Sequence, residues 1–322
     1  MPQGTSDPQG ATIAKRIDEL DWLKSVCILL MIAFHLEHFE HLYPEAKHVV
    51  YTFHMPVFLI ISGYLIKTNR GLRSFLSTLT PILIPYIIME AAYTFAASLL
   101  PINEHIDHLT PSIMVKNLLL HPIGPYWFLH TLTLCYILTY ATRNIPRLSE
   151  ISRTIILFLM AWIANKLRIM PFSLSIYYII GTILSTSNIK FTSFFAPSIV
   201  AFPFIIAMLC FSASIDKSTC VGALFIFLAI SFLTWVFQYV RGTLRKAFLF
   251  IGRNTLPILL FSPLFTLLAK FYQPFICSID HTGIIFMLIS VFLGAYGSIG
   301  IKYVLDRLGI WKLMTAPQKL FS

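Results

Sequence analysis

The sequence predicts an all-α protein: a polytopic transmembrane helical bundle of about ten spans, with both termini cytoplasmic. Three observations predict it. Hydrophobic residues make up 57% of the 322-residue chain and charged residues only 12%, about half the quarter found in soluble domains. The apolar residues gather into runs of roughly 20, the length that crosses the hydrocarbon core of a bilayer. Lysine and arginine concentrate in every second connection between those runs, as the positive-inside rule requires.

The candidate spans, in chain order, are 20–40, 50–67, 75–99, 126–142, 152–166, 171–186, 194–212, 220–240, 247–269 and 283–304. The polar, Gly/Pro-containing start (MPQGTSDPQGATIA) reads as a disordered tail, 1–15. It lacks the basic n-region and cleavable apolar core of a signal peptide. The first span reads RIDELDWLKSVCILLMIAFHLEHF, and the second contains FHMPVFLIISGYLIK. The third carries prolines in SFLSTLTPILIPY, and the fifth and sixth are short. With the N-terminus cytoplasmic, eighteen Lys/Arg fall on the inner side and six on the outer: Lys47, Lys116, Lys166, Arg168, Lys217 and Lys270. Residues 16–310 then form one transmembrane domain, followed by a short cytoplasmic tail, 311–322.

One function class drops out and another is weakened. The formal net charge of +10 is scattered between apolar runs rather than clustered on one element, so nucleic acid is not the partner. No internal repeat is visible, which speaks against an inverted-repeat transporter. Five cysteines show no C-x-x-C spacing. Cys27, Cys135 and Cys210 lie in apolar runs and read as small core residues, and the spacing of Cys220 and Cys277 does not support a disulfide.

Ionisable residues inside spans are costly and mark function by default. Lys24 and His35 are eleven residues apart, which on a continuous helix places them within about 20° of one face and about 16 Å apart. That layout suits a long ligand, anionic at one end and reactive at the other. Asp21 precedes Lys24 by three residues and can pair with it. Glu90, deep in the third span, can orient an imidazole as a carboxylate orients a catalytic histidine, or pair with a cation. His54 near the outer boundary and Asn254 in the ninth span are candidate substrate contacts, as is Trp127, which with Tyr126 otherwise forms an aromatic belt. The run HLEHFEH, 35–41, offers imidazoles for zinc, but its order is not H-E-x-x-H and no metal is expected.

These residues resemble a family. LDWLKSVCILLMIAFH followed by FHMPVFLIISGYLIK resembles the integral-membrane acyltransferase-3 family, and most of all its branch of fucose 4-O-acetylase-like sugar O-acetyltransferases. The family's basic residue, ten intervening residues and histidine correspond here to Lys24 and His35. Its Met-Pro…Ser-Gly-(Tyr/Phe) signature corresponds to Met55, Pro56, Phe58, Ser62, Gly63 and Tyr64. PYWFL (125–129), YYIIGTILS (177–185) and IGRNTLPILL (251–260) extend the likeness over roughly 16–310.

The resemblance implies acetyl transfer from cytoplasmic acetyl-CoA, as cosubstrate, to a hydroxyl of a cell-surface or lipid-linked glycan. The setting it implies is a bacterial inner membrane, with lipid bilayer and glycan as partners and the oligomeric state open. His35 would be the base, with Glu90 beside it. Lys24, Lys67, Arg70 and Arg73 would meet the CoA phosphates. His54, Ser62, Tyr64, Trp127 and Asn254 would line the substrate path, with the second span as a wall of the acyl tunnel. Two departures stand out: no basic pair precedes the third-span proline, and Ser262 occupies a position where the family often has histidine. The second reading, from another class, is a transporter or glycan-export component coupling ions through Lys24, His35 and Glu90.

Overall fold

A computed structural model describes residues 16–66, 71–99, 105–210 and 215–315. Among these residues every regular element is a helix. The chain runs α1 (Asp18–Ala33), α2 (Glu37–Leu42), α3 (Pro44–Leu65), α4 (Leu72–Leu99), α5 (Pro111–Leu119) and α6 (Trp127–Arg143). It continues through α7 (Glu150–Lys166), α8 (Phe172–Thr186), α9 (Phe191–Phe194), α10 (Ala201–Leu209) and α11 (Cys220–Phe237). The last elements are α12 (Gly242–Arg253), α13 (Thr255–Cys277), α14 (Ile284–Arg307) and α15 (Ile310–Thr315).

Five of these, α3, α4, α11, α13 and α14, are long and apolar enough to cross a membrane among the described residues. The expected count of about ten is therefore supported only in part. The seventh expected span, 194–212, contains the nine residues of α10, about 13 Å of helix against a hydrocarbon core of about 30 Å. The ninth, 247–269, is two elements. Asn254 leaves helical geometry at φ −116°, ψ 29°, separating the amphipathic α12 from the apolar α13.

The first expected span is also two elements, and the break has a local cause. The α1 helix tightens at its end: His35 N–H donates to Ile32 O and Leu36 N–H to Ala33 O, three residues back instead of four. The Met31 carbonyl, which a continuing helix would use for the His35 N–H, accepts the His35 ring instead, Nδ1 to O at 2.7 Å. His35 thus sits in a turn beyond the helix, and the single-face relation to Lys24 ends at Ala33.

The core is built around α1, which packs on α3, α11, α12, α13 and α14. Leu23, Cys27, Ile28 and Ile32 are fully enclosed. The most extensive helix pair is α3 with α8. A Cβ on Gly63 would lie 2.1 Å from the Tyr178 carbonyl oxygen, and one on Gly181 would lie 2.1 Å from that of Ile60. The two glycines therefore let the backbones touch. This is the small-residue packing that works in lipid, where apolar surface alone gives neighbouring helices no preference for each other. Pro56 lies inside α3 without ending it.

Residues 311–315 of the expected tail belong to α15, whose buried Trp311 and Met314 face α4 and α14. All five cysteines are free, and Cys210 is exposed rather than in the core. The tail at 1–15 lies outside the described residues, as do Lys67 and Arg70.

Candidate active site

Two ends of α1 carry the polar residues. At the Lys24 end, Lys24 Nζ lies 2.7 Å from Asp21 Oδ1, the pairing that their i,i+3 spacing predicts. The other oxygen of Asp21 accepts from Arg253 Nε at 3.2 Å. Arg253 and Arg245 each donate to Asp18 at 3.3 Å. A Cβ on Gly252 would sit 1.8 Å from the Asp21 carbonyl oxygen, so the start of α1 and the end of α12 are in backbone contact. Close by in the fold, Lys302 Nζ donates to Asn254 Oδ1 at 3.3 Å. Three cations, Lys24, Arg245 and Arg253, meet the carboxylates of Asp18 and Asp21, with Lys302 held nearby on Asn254.

At the other end, the His35 side chain is only partly covered by protein, whereas His54 on α3 is buried. Each imidazole places Nδ1 2.7 Å from the carbonyl oxygen four residues back, Met31 for His35 and Val50 for His54. A carbonyl oxygen only accepts, so both Nδ1 atoms carry hydrogen. In the neutral ring that leaves Nε2 with its lone pair available. Tyr51 lies between them, its ring centroid 5.6 Å from that of His35 and 5.3 Å from that of His54. Its hydroxyl donates to Phe34 O at 2.8 Å and so ties α3 to the turn that holds His35.

A cleft of about 280 Å³ opens against Tyr51, bordered by Lys47, His48, Thr52, Asp216 and Lys217. Thr52 Oγ1 donates to Ile215 O at 2.9 Å and Tyr177 OH to Lys217 O at 2.6 Å, which fastens the 215–217 segment over α3. Asp216 lies in that segment, outside the long helices. A hydrogen bond from the Ser218 N–H holds its carboxyl below the usual carboxylate range. A second cleft, of about 300 Å³, lies on the far side of residues 36–41 and includes His38, His41, Lys270, Gln273 and Phe286. There Glu37 pairs with Lys270 at 2.6 Å. Among the described residues, no three His, Cys, Asp or Glu side chains converge as a metal site would need.

The structure brings His35 and His54 together and leaves the other expected residues apart from them. Glu90 is buried in α4, and its Oε1 accepts the Ile123 N–H at 2.7 Å, so it fastens the segment that leads into α6. The Nδ1 of His35 faces Met31, not Glu90. Ser62 hydrogen-bonds with Tyr136, and Tyr64 OH accepts from Phe191 N–H at 3.3 Å. With Gly63 pressed on α8, this part of α3 holds helices together where the sequence suggested a tunnel wall. Trp127 is half-buried at the start of α6, its ring edge-on to Phe128. Its neighbour Tyr126, expected in an aromatic belt, is buried and donates to Leu260 O at 3.0 Å. Asn254 is at the Lys24 end of the bundle, and Arg73 is exposed on α4. Sequence reasoning passed over Tyr51 and Arg253, since an aromatic and an arginine at a helix end carry no signal until their partners are known.

Residues 17–303 match the family Acyl_transf_3, described as an acyltransferase domain. The chain belongs to this acyltransferase family. No curated protein and no solved structure matches it. As a member of the family with apolar helices of membrane-crossing length, the protein is a membrane acyltransferase. That decides between the two readings of the sequence in favour of group transfer. The acyltransferase match includes both ends of α1 and both clefts; the last turn of α14, α15 and the chain termini lie outside it.

Proposed function

We propose that the protein moves an acetyl group from acetyl-CoA, bound at the Lys24 end in the cytoplasm, to a hydroxyl of a cell-surface or lipid-linked glycan at the His35 end. The bacterial inner membrane is the setting this reading requires. The observation that carries it is the His35 imidazole, only partly covered by protein and with Nδ1 committed to Met31 O. That leaves Nε2 as the basic atom in the neutral ring.

A hydroxyl is a weak nucleophile until its proton is taken as it attacks. In the proposed reaction His35 Nε2 removes that proton while the hydroxyl oxygen bonds to the thioester carbonyl carbon. The carbon–sulfur bond then breaks with its electron pair on sulfur, and the imidazolium returns the proton to the thiolate. The products are the O-acetyl ester and CoA. The ring of His54 packs on Tyr51 as well, 5.3 Å from centroid to centroid, and holds a second imidazole close. The cations at that end, Lys24, Arg245, Arg253 and Lys302, are proposed with Arg73 on α4 to meet the donor phosphates. Lys67 and Arg70 belong to the same proposal.

The test is transfer of label from radiolabelled acetyl-CoA to envelope glycan in membranes. We expect His35→Gln to remove the label at unchanged protein level. Full labelling by that variant, or no label with the native protein, overturns the reading.

A further inference from the structure

The cleft against Tyr51 has no role in what precedes, and its chemistry is specific. It is small, about 280 Å³, which suits one or two sugar rings better than a lipid chain. Its border offers donors in Lys47, His48 and Lys217 and an acceptor in the Asp216 carboxylate, all around one aromatic ring. A sugar needs this mixture, because each of its hydroxyls both donates and accepts; the Tyr51 ring, with Lys47 over it at 5.5 Å, forms the apolar part of the wall.

The hydrogen-bonding capacity of these groups is only partly used. Lys47 is committed to Glu40 at 2.8 Å, and Asp216 Oδ1 takes the Ser218 N–H at 2.7 Å. The half-buried Lys217 makes no ion pair among the described residues. Its ammonium is within electrostatic reach of His54. Tyr51 is the link to the chemistry, since the ring that borders the cleft also packs on His35. The cleft beyond residues 36–41 lacks that link: its aromatic ring, Phe286, packs on His38 and Tyr272.

We infer that the cleft between α3 and residues 215–217 is the acceptor subsite, with a sugar ring held by Lys217, Asp216 and Tyr51 so that one of its hydroxyls reaches Nε2 of His35. The inference rests on the proposed transfer to a glycan, and its test separates the two. Membranes carrying the full chain receive an envelope glycan fraction and radiolabelled acetyl-CoA. Lys217→Met is expected to raise the apparent KM for the glycan about tenfold and leave that for acetyl-CoA unchanged. Lys217→Arg keeps the cation and is expected to stay within about twofold of the native protein. Lys270→Met, in the other cleft, serves as the control with an unchanged KM.

A second readout needs no transfer. In a protein freed of its native cysteines, Lys217→Cys is treated with a thiol reagent, and the glycan fraction, but not acetyl-CoA, is expected to slow the labelling. Protection without any acetyl transfer keeps the subsite and overturns the proposed reaction. Transfer with native KM in Lys217→Met and no protection overturns the subsite and keeps the reaction. Neither transfer nor protection overturns both.

Discussion

At the scale of single residues, the site depends on how two histidines are held. Each Nδ1–H is tied to a carbonyl one turn back, so the basic nitrogen is selected by the backbone and not by a carboxylate partner. Tyr51→Phe tests the remaining support. It keeps the ring between His35 and His54 but removes the hydrogen bond to Phe34 O. A net loss of ~1 kcal/mol in stability is expected, together with a several-fold fall in kcat and little change in the KM for acetyl-CoA. Unchanged kcat would show that the turn holds His35 without help. His35→Gln is expected to cost 10²–10⁴-fold in kcat, roughly the contribution of a positioned general base, measured as initial rates of acetyl transfer.

Among the elements, the α3–α8 crossing is exacting from both sides. An added methyl at Gly63 or Gly181 meets backbone, which cannot swing aside as a side chain can. Gly63→Ala and Gly181→Ala are each expected to destabilise by about 1–3 kcal/mol, the usual cost of overpacking. Thermal unfolding in detergent reads this as a lowered Tm, and a native Tm would mean that the helices can separate without penalty. The crossing, at Ile60 and Gly63, lies about two helical turns beyond His54 on the same helix. Glu90 acts at this scale as well, since its carboxylate joins α4 to the segment entering α6.

For the whole molecule, the Asp21 carboxylate joins the start of α1 to the end of α12. Asp21→Asn keeps the size but removes the charge shared by Lys24 and Arg253. Arg253 is partly exposed, so the loss is expected to be about 1–3 kcal/mol rather than the larger cost of breaking a fully buried pair. It is checked by denaturation in detergent, with the KM for acetyl-CoA measured alongside. The orientation proposed from the charge bias makes a separate prediction. In a protein freed of native cysteines, Arg241→Cys should react only with reagent on the cytoplasmic side and Ser278→Cys only with reagent on the other. Labelling of both from one side would remove the assigned topology.

The membrane character, the helical class and the family were legible in the chain because each is carried by local pattern. Apolar runs, the Lys24-to-His35 spacing and the Met-Pro…Ser-Gly-Tyr order survive without knowledge of neighbours, and so did the Asp21–Lys24 pair, one turn apart. Other features were not legible because their cause lies on another part of the chain. Gly63 is a glycine because Tyr178 O presses on it, and Glu90 is buried at the Ile123 N–H, thirty-three residues away. Tyr51 touches His35 only because α1 ends in a turn and α3 folds back against it. The sequence by itself determined which residues could carry acyl transfer in a membrane. Only the tertiary structure decided which of them meet, because hydrogen bonds and packing act over a few ångströms and most of the partners are far apart along the chain.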